Sequence, residues 1–349
     1  MEKKIKEKRK NKMLTNFKIS WKNSSTFSTA VALVVMIVLQ TLALGFDFSE
    51  GFSYWIIRWA HNWINILRNN ANIGIISLGM AFVIISGGID LAVGSTLVAI
   101  GAFLMVFINT ASSGVLGTLG ITGIPAYIIA IALSLLVGTL LGAFAGVIIT
   151  YGKLPPFIAT LGTMKIFRSV TQQFMQGNNP QVPKAFLKIA SVEIFDLMLM
   201  PILYWIIIAY ILNLVSKKTA FGKHVYAVGS NERAAALSGI DVKKVKLVVY
   251  SLMGFLVAIA AILQVSRIGA MDYANAGAGY EMDAISAVIV GGTSMSGGRG
   301  TIGGTILGVL IISVMNNLLN LLGVPPFLRE AFKGVIVICA VLLQKKEEN

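Results

Sequence analysis

Residues 291–304, GGTSMSGGRGTIGG, contain Gly298-x-Gly300-x-x-Gly303, the spacing with which a dinucleotide-binding loop cradles pyrophosphate. That spacing binds a nucleotide only between a strand and a soluble helix, with an acid about 20 positions on for the ribose. AISAVIV before it could pass as a strand, but TILGVLIISVMNNLLNLL after it is an apolar span lacking the ribose-binding acid. No G-x-x-x-x-G-K-[ST] phosphate loop occurs in the chain. The glycines therefore need another explanation, and neither a nucleotide nor any other cofactor is expected here.

Other reactive residue types are sparse. Cys339, the single cysteine, lies in an apolar run, which excludes a disulfide or thiolate metal site within one chain. His61 and His224 fall on opposite sides of the membrane in the topology below, so neither a His-pair metal site nor a His–Asp–Ser arrangement can form. No facing nucleophile and base suit an intramembrane hydrolase, and the chain is not read as an enzyme. Asp90 carries two readings. Just before LAVGSTL it can cap a helix start, where a carboxylate accepts N–H bonds and meets the positive dipole end. As an acid within a membrane protein it can also be a proton or cation site. Glu281 and Asp283 precede an apolar run and again read as N-terminal caps; with Asp272 they make one surface acidic enough to matter for docking a partner.

The elements that must position these residues follow from composition. Of 349 residues 56% are hydrophobic and 13% charged, against about 25% charged in soluble domains. Mean hydropathy is +0.79. An all-α polytopic membrane protein is predicted, because open sheets cannot satisfy their backbone in lipid. About ten crossings are expected, near 29–46, 71–88, 92–110, 125–150, 156–176, 197–215, 246–268, 283–296, 301–322 and 327–344, with 156–176 and 283–296 the candidates for broken or re-entrant helices.

The formal charge of +14 is gathered in loops, which is what membrane topology produces and not a nucleic-acid footprint. An uncleaved first helix with the N-terminus inside places 20 of the 29 Lys/Arg on the cytoplasmic side or at its boundary. The chain then divides into a basic cytoplasmic tail (1–28), a transmembrane domain (29–344) with a cytoplasmic loop at 216–245, and a cytoplasmic C-terminal tail (345–349) in the bacterial inner membrane. Trp55, Trp59 and Trp63 share one helical face, which suits a helix lying in the outer interface or a ligand-stacking surface.

Glycines in membrane helices allow close backbone approach, and they allow breaks where backbone lines a protected cavity. ISGGIDLAVGS (85–95) and IVGGTSMSGGRG (289–300) are alike, and Ile-x-Gly-Gly recurs at 85–88 and 289–292 as Pro-Pro-Phe does at 155–157 and 325–327. Paired interrupted helices in two halves point to a transport pathway. Candidate pathway or helix-break residues are Ser86, Gly87, Gly88 and Asp90 in the first stretch and Gly291, Gly292, Thr293, Gly297 and Gly298 in the second. Thr160 and Thr163 of LPPFIATLGTM join them.

In the cytoplasmic loop, Ser230 or Asn231 can cap a short helix that Ala234, Ala235, Ala236 and Leu237 favour and Gly239 ends. Such a helix is either an ordinary capped turn or a partner surface. FGKHVYAVGSNERAAALSGIDVKKVK resembles the coupling segment of ribose/galactose/xylose-type permeases of bacterial ATP-binding-cassette (ABC) importers. NILRNNANIGIISLGMAFVIISGGIDLAVGS, LPPFIATLGTM, GYEMDAISAVIVGGTSMSGGRGTIGGT and NNLLNLLGVPPFLREAFKGVIVICAVLL resemble the same family in the same order, over roughly residues 65–345. The resemblance implies a homodimeric or heterodimeric permease, a separate cytoplasmic ABC ATPase and an extracytoplasmic sugar-binding protein. It assigns ATPase coupling to Gly229, Ser230, Asn231, Glu232, Arg233, Ala234, Ala235, Leu237, Ser238 and Gly239. Small Ala234 and Ala235 would approach the ATPase, and Glu232 would pair with one of its basic residues. The competing classes are an ion-coupled secondary transporter and a channel.

Overall fold

The computed structural model describes residues 25–338 apart from 47, 50, 110–113, 177, 179, 195–196, 326–327 and 337. Most of the basic tail, Cys339, the C-terminal tail and much of the second Pro-Pro-Phe therefore lie outside the described residues. The described chain is helical: α1 (Ser25–Leu44), α2 (Phe52–Ile85), α3 (Val93–Phe107), α4 (Val115–Thr118), α5 (Gly123–Thr150), α6 (Pro156–Met175) and α7 (Lys184–Ser191) come first. α8 (Met200–Lys218), α9 (Ala220–Ser230), α10 (Glu232–Leu237), α11 (Val242–Ile268), α12 (Tyr280–Val290) and α13 (Ile302–Leu321) follow, and residues 328–336 are helical too. Two-residue strands β1 (Glu193–Ile194) and β2 (Leu197–Met198) pair antiparallel in a small hairpin. By length and composition α2, α5, α8, α11 and α13 can cross a membrane, which makes this an all-α polytopic membrane protein.

α11 is the hub, packing against α2, α3 and α5. Its seam with α5 is made of glycines four apart. A Cβ at Gly138 would lie 2.7 Å from the Gly254 carbonyl, and one at Gly142 would lie 2.9 Å from the Gly254 nitrogen. A helix pair in lipid gains nothing from excluding water, so close backbone contact of this kind is what holds it. Asn72 adds a side-chain hydrogen bond to Gln264 across the buried α2–α11 contact.

Three elements differ from the sequence expectation. The tryptophan segment is not a separate interfacial helix. No proline separates Phe52 from Ile85, Gly74 and Gly79 are packed against Trp205 and Met253, and the 34 residues form one rod about 51 Å long. Its indoles pack on the end of α1, with Trp55 Nε1 donating to the Gly45 carbonyl at 2.9 Å and Trp59 Nε1 to the Thr41 hydroxyl at 3.1 Å. The span expected at 283–296 is the 11-residue α12, about 16 Å and half a hydrocarbon core. α3, expected over 92–110, has 15 residues, about 22 Å. Both short helices follow a non-helical stretch, 86–92 and 269–279.

Candidate functional site

The two interrupted helices meet twice, at different depths. α12 ends at Val290 beside the loop 291–300, which lies against α9; its start is therefore about 16 Å further into the bundle. There Gly277, just before α12, touches Gly94, the second residue of α3. A Cβ at Gly277 would sit 2.7 Å from the Gly94 carbonyl, and one at Gly94 would lie 3.1 Å from a Glu281 carboxylate oxygen. The N-terminal ends of two half-helices thus face one another inside the bundle, so two positive dipole ends and the carboxylates of Asp90 and Glu281 share one region.

Asp90 is 5% exposed, and its carboxylate accepts the Ala92 N–H at 2.8 Å. This bond closes a turn ahead of α3 and is not the expected cap, because α3 starts at Val93 behind Ala92 and has no side-chain cap bond. The neighbouring Ile89 carbonyl accepts from Tyr250 of α11 at 3.2 Å and from Thr160 of α6 at 3.4 Å. Thr160 also donates to the Pro156 carbonyl at 2.8 Å, and Thr163 to the Thr160 carbonyl at 3.1 Å, so Thr163 is buried within its own helix turn.

Further along α6, Arg168 clamps the stretch before α12, donating to the carbonyls of Tyr273 (3.3 Å), Ala274 (3.3 Å) and Ala276 (2.8 Å). Next to it opens a cleft of about 470 Å³ lined by Ser169, Gln172, Gln173, Gln176, Asp272 and Tyr273 among others. Asp272 is held below the usual carboxylate range by the Asn275 side-chain amide and by the backbone N–H groups of Ala274 and Asn275. The Tyr273 hydroxyl has no hydrogen-bond partner among the described residues. The amides and the carboxylate suit a ligand rich in hydroxyls.

The second meeting point gathers the glycine turns. α2 and α12 end in the same device. Gly87 (φ 82°) donates its N–H to the Ile84 carbonyl at 2.9 Å and Gly88 to that of Val83 at 2.9 Å. Gly292 (φ 86°) donates to Ile289 at 2.8 Å and Thr293 to Val288 at 3.2 Å. These are matched Schellman caps. They place Gly87 opposite Gly292, one residue out of step with the Ile-x-Gly-Gly alignment. Gly291 instead packs on the Gly304 backbone.

Between the two caps sits the end of α9. Gly298 donates to the Ile85 carbonyl at 2.9 Å, a Cβ at Gly297 would lie 2.8 Å from the Gly229 carbonyl, and Gly298 abuts Ser230. Tyr226 donates its hydroxyl to the Gly300 carbonyl at 2.9 Å. The opening GxGxxG stretch is thus a backbone socket joining Ile85, the end of α9 and α12.

α10 begins where this socket ends. Asn231, and not Ser230, caps it, accepting the Ala234 N–H at 2.9 Å, and Gly239 (φ 84°) closes it. Two expectations for α10 change. Ala235 is 5% exposed and faces the protein's own interior, whereas Leu237 is 90% exposed. Glu232 is already paired with Lys246 at 2.6 Å. Glu281 does cap the start of α12, its carboxylate accepting from the backbone N–H groups of Gly279 and Glu281, whereas Asp283 instead pairs with Lys333 at 2.8 Å. Sequence reading missed Tyr250, Gly94, Gly277 and Tyr226, whose only local signal is a glycine pair, Gly277-x-Gly279, ahead of an apolar run.

A membrane bundle with two half-helices, an internal polar contact and a short helix presented at one end has the anatomy of a transport subunit. A family model described as branched-chain amino acid transport system / permease component matches residues 62–341. The chain belongs to this permease family. The ribose import permease RbsC of Bacillus subtilis (strain 168) is 40% identical over 296 residues, 82% of this chain and 85% of that protein. The D-allose transport system permease AlsC of Escherichia coli (strain K12) is 34% identical, covering 78% of this chain and 79% of its own. The xylose transport system permease XylH of Haemophilus influenzae is 30% identical, covering 92% and 98%. No solved structure matches the chain. The permease is a membrane transport subunit, not an enzyme.

Proposed function

We propose that the permease carries a monosaccharide of the ribose, allose or xylose kind inward across the bacterial inner membrane. An ABC ATPase and an extracytoplasmic sugar-binding protein supply the energy and the substrate, and a second permease copy completes the pathway. The sugars named in three relatives support the substrate class. In this reading the end bearing α9 and α10 is cytoplasmic and the end bearing Asp272 extracytoplasmic. Sugar enters at the cleft beside α6, passes the meeting point of α3 and α12, and leaves past the glycine socket. A pathway with few, shared hydrogen bonds releases its cargo readily, as net transport requires.

The observation that carries the coupling mechanism is the socket. α10 leaves it directly, so a push on α10 reaches the ends of both interrupted helices through Gly229, Ser230, Gly297 and Gly298. Rigid-body tilting of a few packed elements is an ordinary way to switch between two openings.

Sidedness has its own test. Single cysteines replacing Lys218 or Asp272, in a Cys339→Ser background, should differ when an impermeant thiol reagent is added to intact cells: labelling at 272 and none at 218. The reverse pattern would overturn the orientation. Arg168→Gln should leave insertion and binding-protein affinity for sugar unchanged but lower uptake about ten-fold or more. Hydrogen bonds from a charged group are worth about 1.5–3 kcal/mol each, and this one guanidinium holds three carbonyls of the entry loop. Wild-type uptake by Arg168→Gln would remove that loop from the pathway.

A secondary transporter is the alternative that one observation favours: Asp90 is a buried acid between interrupted helices, where ion-coupled carriers hold a proton or cation.

A further inference from the structure

A groove of about 350 Å³ runs between α8 and α13 on the flank of the bundle, separate from the cleft beside α6 and adjoining the socket through Ile302 and Gly303. Along α8 it is lined by Trp205, Ala209, Asn213 and Lys217, which are four residues apart and form one stripe. From Trp205 to Lys217 the stripe is about 18 Å long, close to half the roughly 30 Å hydrocarbon core and therefore one leaflet deep. Its chemistry is graded. The deep part is apolar, and the end is an amide followed by an exposed lysine. Across the groove lie Gly303 and Ile306, and a Cβ added to Gly303 would meet nothing within 4 Å. The third glycine of the opening motif thus leaves space on this face, whereas Gly298 is filled by the Ser230 backbone and Gly300 by the Thr293 and Ile85 side chains.

Lys217 makes no ion pair among the described residues, and Lys218 stands beside it. A two-fold copy of the chain centred here would set these cations against their own counterparts. A slot one leaflet long, apolar at its deep end and finishing in unpaired positive charge, complements a phospholipid with a negative headgroup, and basic pockets between membrane helices on the cytoplasmic side bind such lipids. We propose that this groove is a specific site for an anionic phospholipid, with an acyl chain along Trp205 and Ala209 and the phosphate beside Asn213 and Lys217. Assignment to the cytoplasmic leaflet rests on the sidedness proposed above; the binding itself does not.

The test is native mass spectrometry of the detergent-purified, delipidated permease titrated with phosphatidylglycerol or phosphatidylcholine. Wild type should retain phosphatidylglycerol preferentially. Lys217→Gln, at an exposed position, should weaken phosphatidylglycerol binding about five-fold, the factor for roughly 1 kcal/mol per lysine near an anionic surface, and leave phosphatidylcholine unchanged. Gly303→Leu should weaken both by filling the slot. Equal retention of the two lipids by wild type, or an unaltered phosphatidylglycerol titration of Lys217→Gln, would overturn the site. So would efficient disulfide cross-linking of two copies through Gly303→Cys in a Cys339→Ser background, which would put a second copy in the groove. Sugar uptake is not read in any arm, so failure here and failure of the transport reading are separate results.

Discussion

Replacing Leu237 by Asp should cut sugar-dependent ATP hydrolysis by the assembled importer more than ten-fold while the permease stays folded and inserted. Leu237 is 90% exposed at the end of α10, beyond the membrane helices. Burying a leucine side chain against a partner stabilises by about 1.5–3 kcal/mol, and a carboxylate in its place loses that and adds a desolvation cost. Each 1.4 kcal/mol is about ten-fold in affinity. The helix that presents it does not depend on Leu237. Its start is held by the Asn231 cap and the Glu232–Lys246 pair, and its end by Gly239. The complex should be purified through the permease, with the ATPase subunit quantified and hydrolysis measured with and without sugar-loaded binding protein. Normal recovery and normal stimulation would show that coupling occurs elsewhere. Ala235→Arg is a poor probe of docking, because Ala235 packs against the protein's own core and an arginine there disturbs the fold.

The second large effect is expected at Gly88, and it can be reversed. A Cβ at Gly88 would lie 2.5 Å from the Tyr250 hydroxyl oxygen, with the next ring atom, Cζ, at 3.3 Å. Gly88→Leu should abolish transport, since bulk there forces α2 and α11 apart where small side chains are required. Gly88→Ala is the informative variant. Overpacking of this size costs about 1–3 kcal/mol, and the hydroxyl is the one atom closer than 3 Å, Val83 Cγ1 lying at 3.3 Å. Tyr250→Phe removes that oxygen and gives up its bond to the Ile89 carbonyl, a loss of about 1 kcal/mol. The double variant Gly88→Ala/Tyr250→Phe should therefore be more stable and more active than Gly88→Ala alone, read as melting temperature in detergent and as uptake. A simply additive double variant would mean that the ring moves aside and that Gly88 is not held against it.

The helical membrane class was legible because a long apolar run has few other ways to satisfy its backbone. The half-helices were only partly so. Residues 283–296 remain apolar through Gly291, so hydropathy runs on where the backbone stops at Val290. The Ile-x-Gly-Gly repeat was visible but one residue out of register, since only backbone geometry shows that Gly292, and not Gly291, takes the left-handed position of Gly87. In α10 the run of three alanines has no hydropathy period, which hides that Ala235 turns inward and Leu237 outward. The clamp of Arg168 on Tyr273, Ala274 and Ala276 joins residues more than 100 positions apart, and no local pattern announces it. That Asp90 stands just ahead of a helix was legible in sequence, but its turn-closing bond to Ala92 in place of a cap was not, nor was its depth, which depends on Gly94 meeting Gly277.

The most direct test of the account is reconstitution of the permease in proteoliposomes with its ATPase and sugar-binding protein. Uptake of radiolabelled ribose, allose and xylose is then measured with and without ATP on the ATPase side. The account predicts accumulation of at least one of these sugars that requires all three proteins and ATP, and that Leu237→Asp removes. Accumulation by the permease alone under an imposed proton or sodium gradient, lost in Asp90→Asn and indifferent to ATP, would contradict it and establish an ion-coupled carrier.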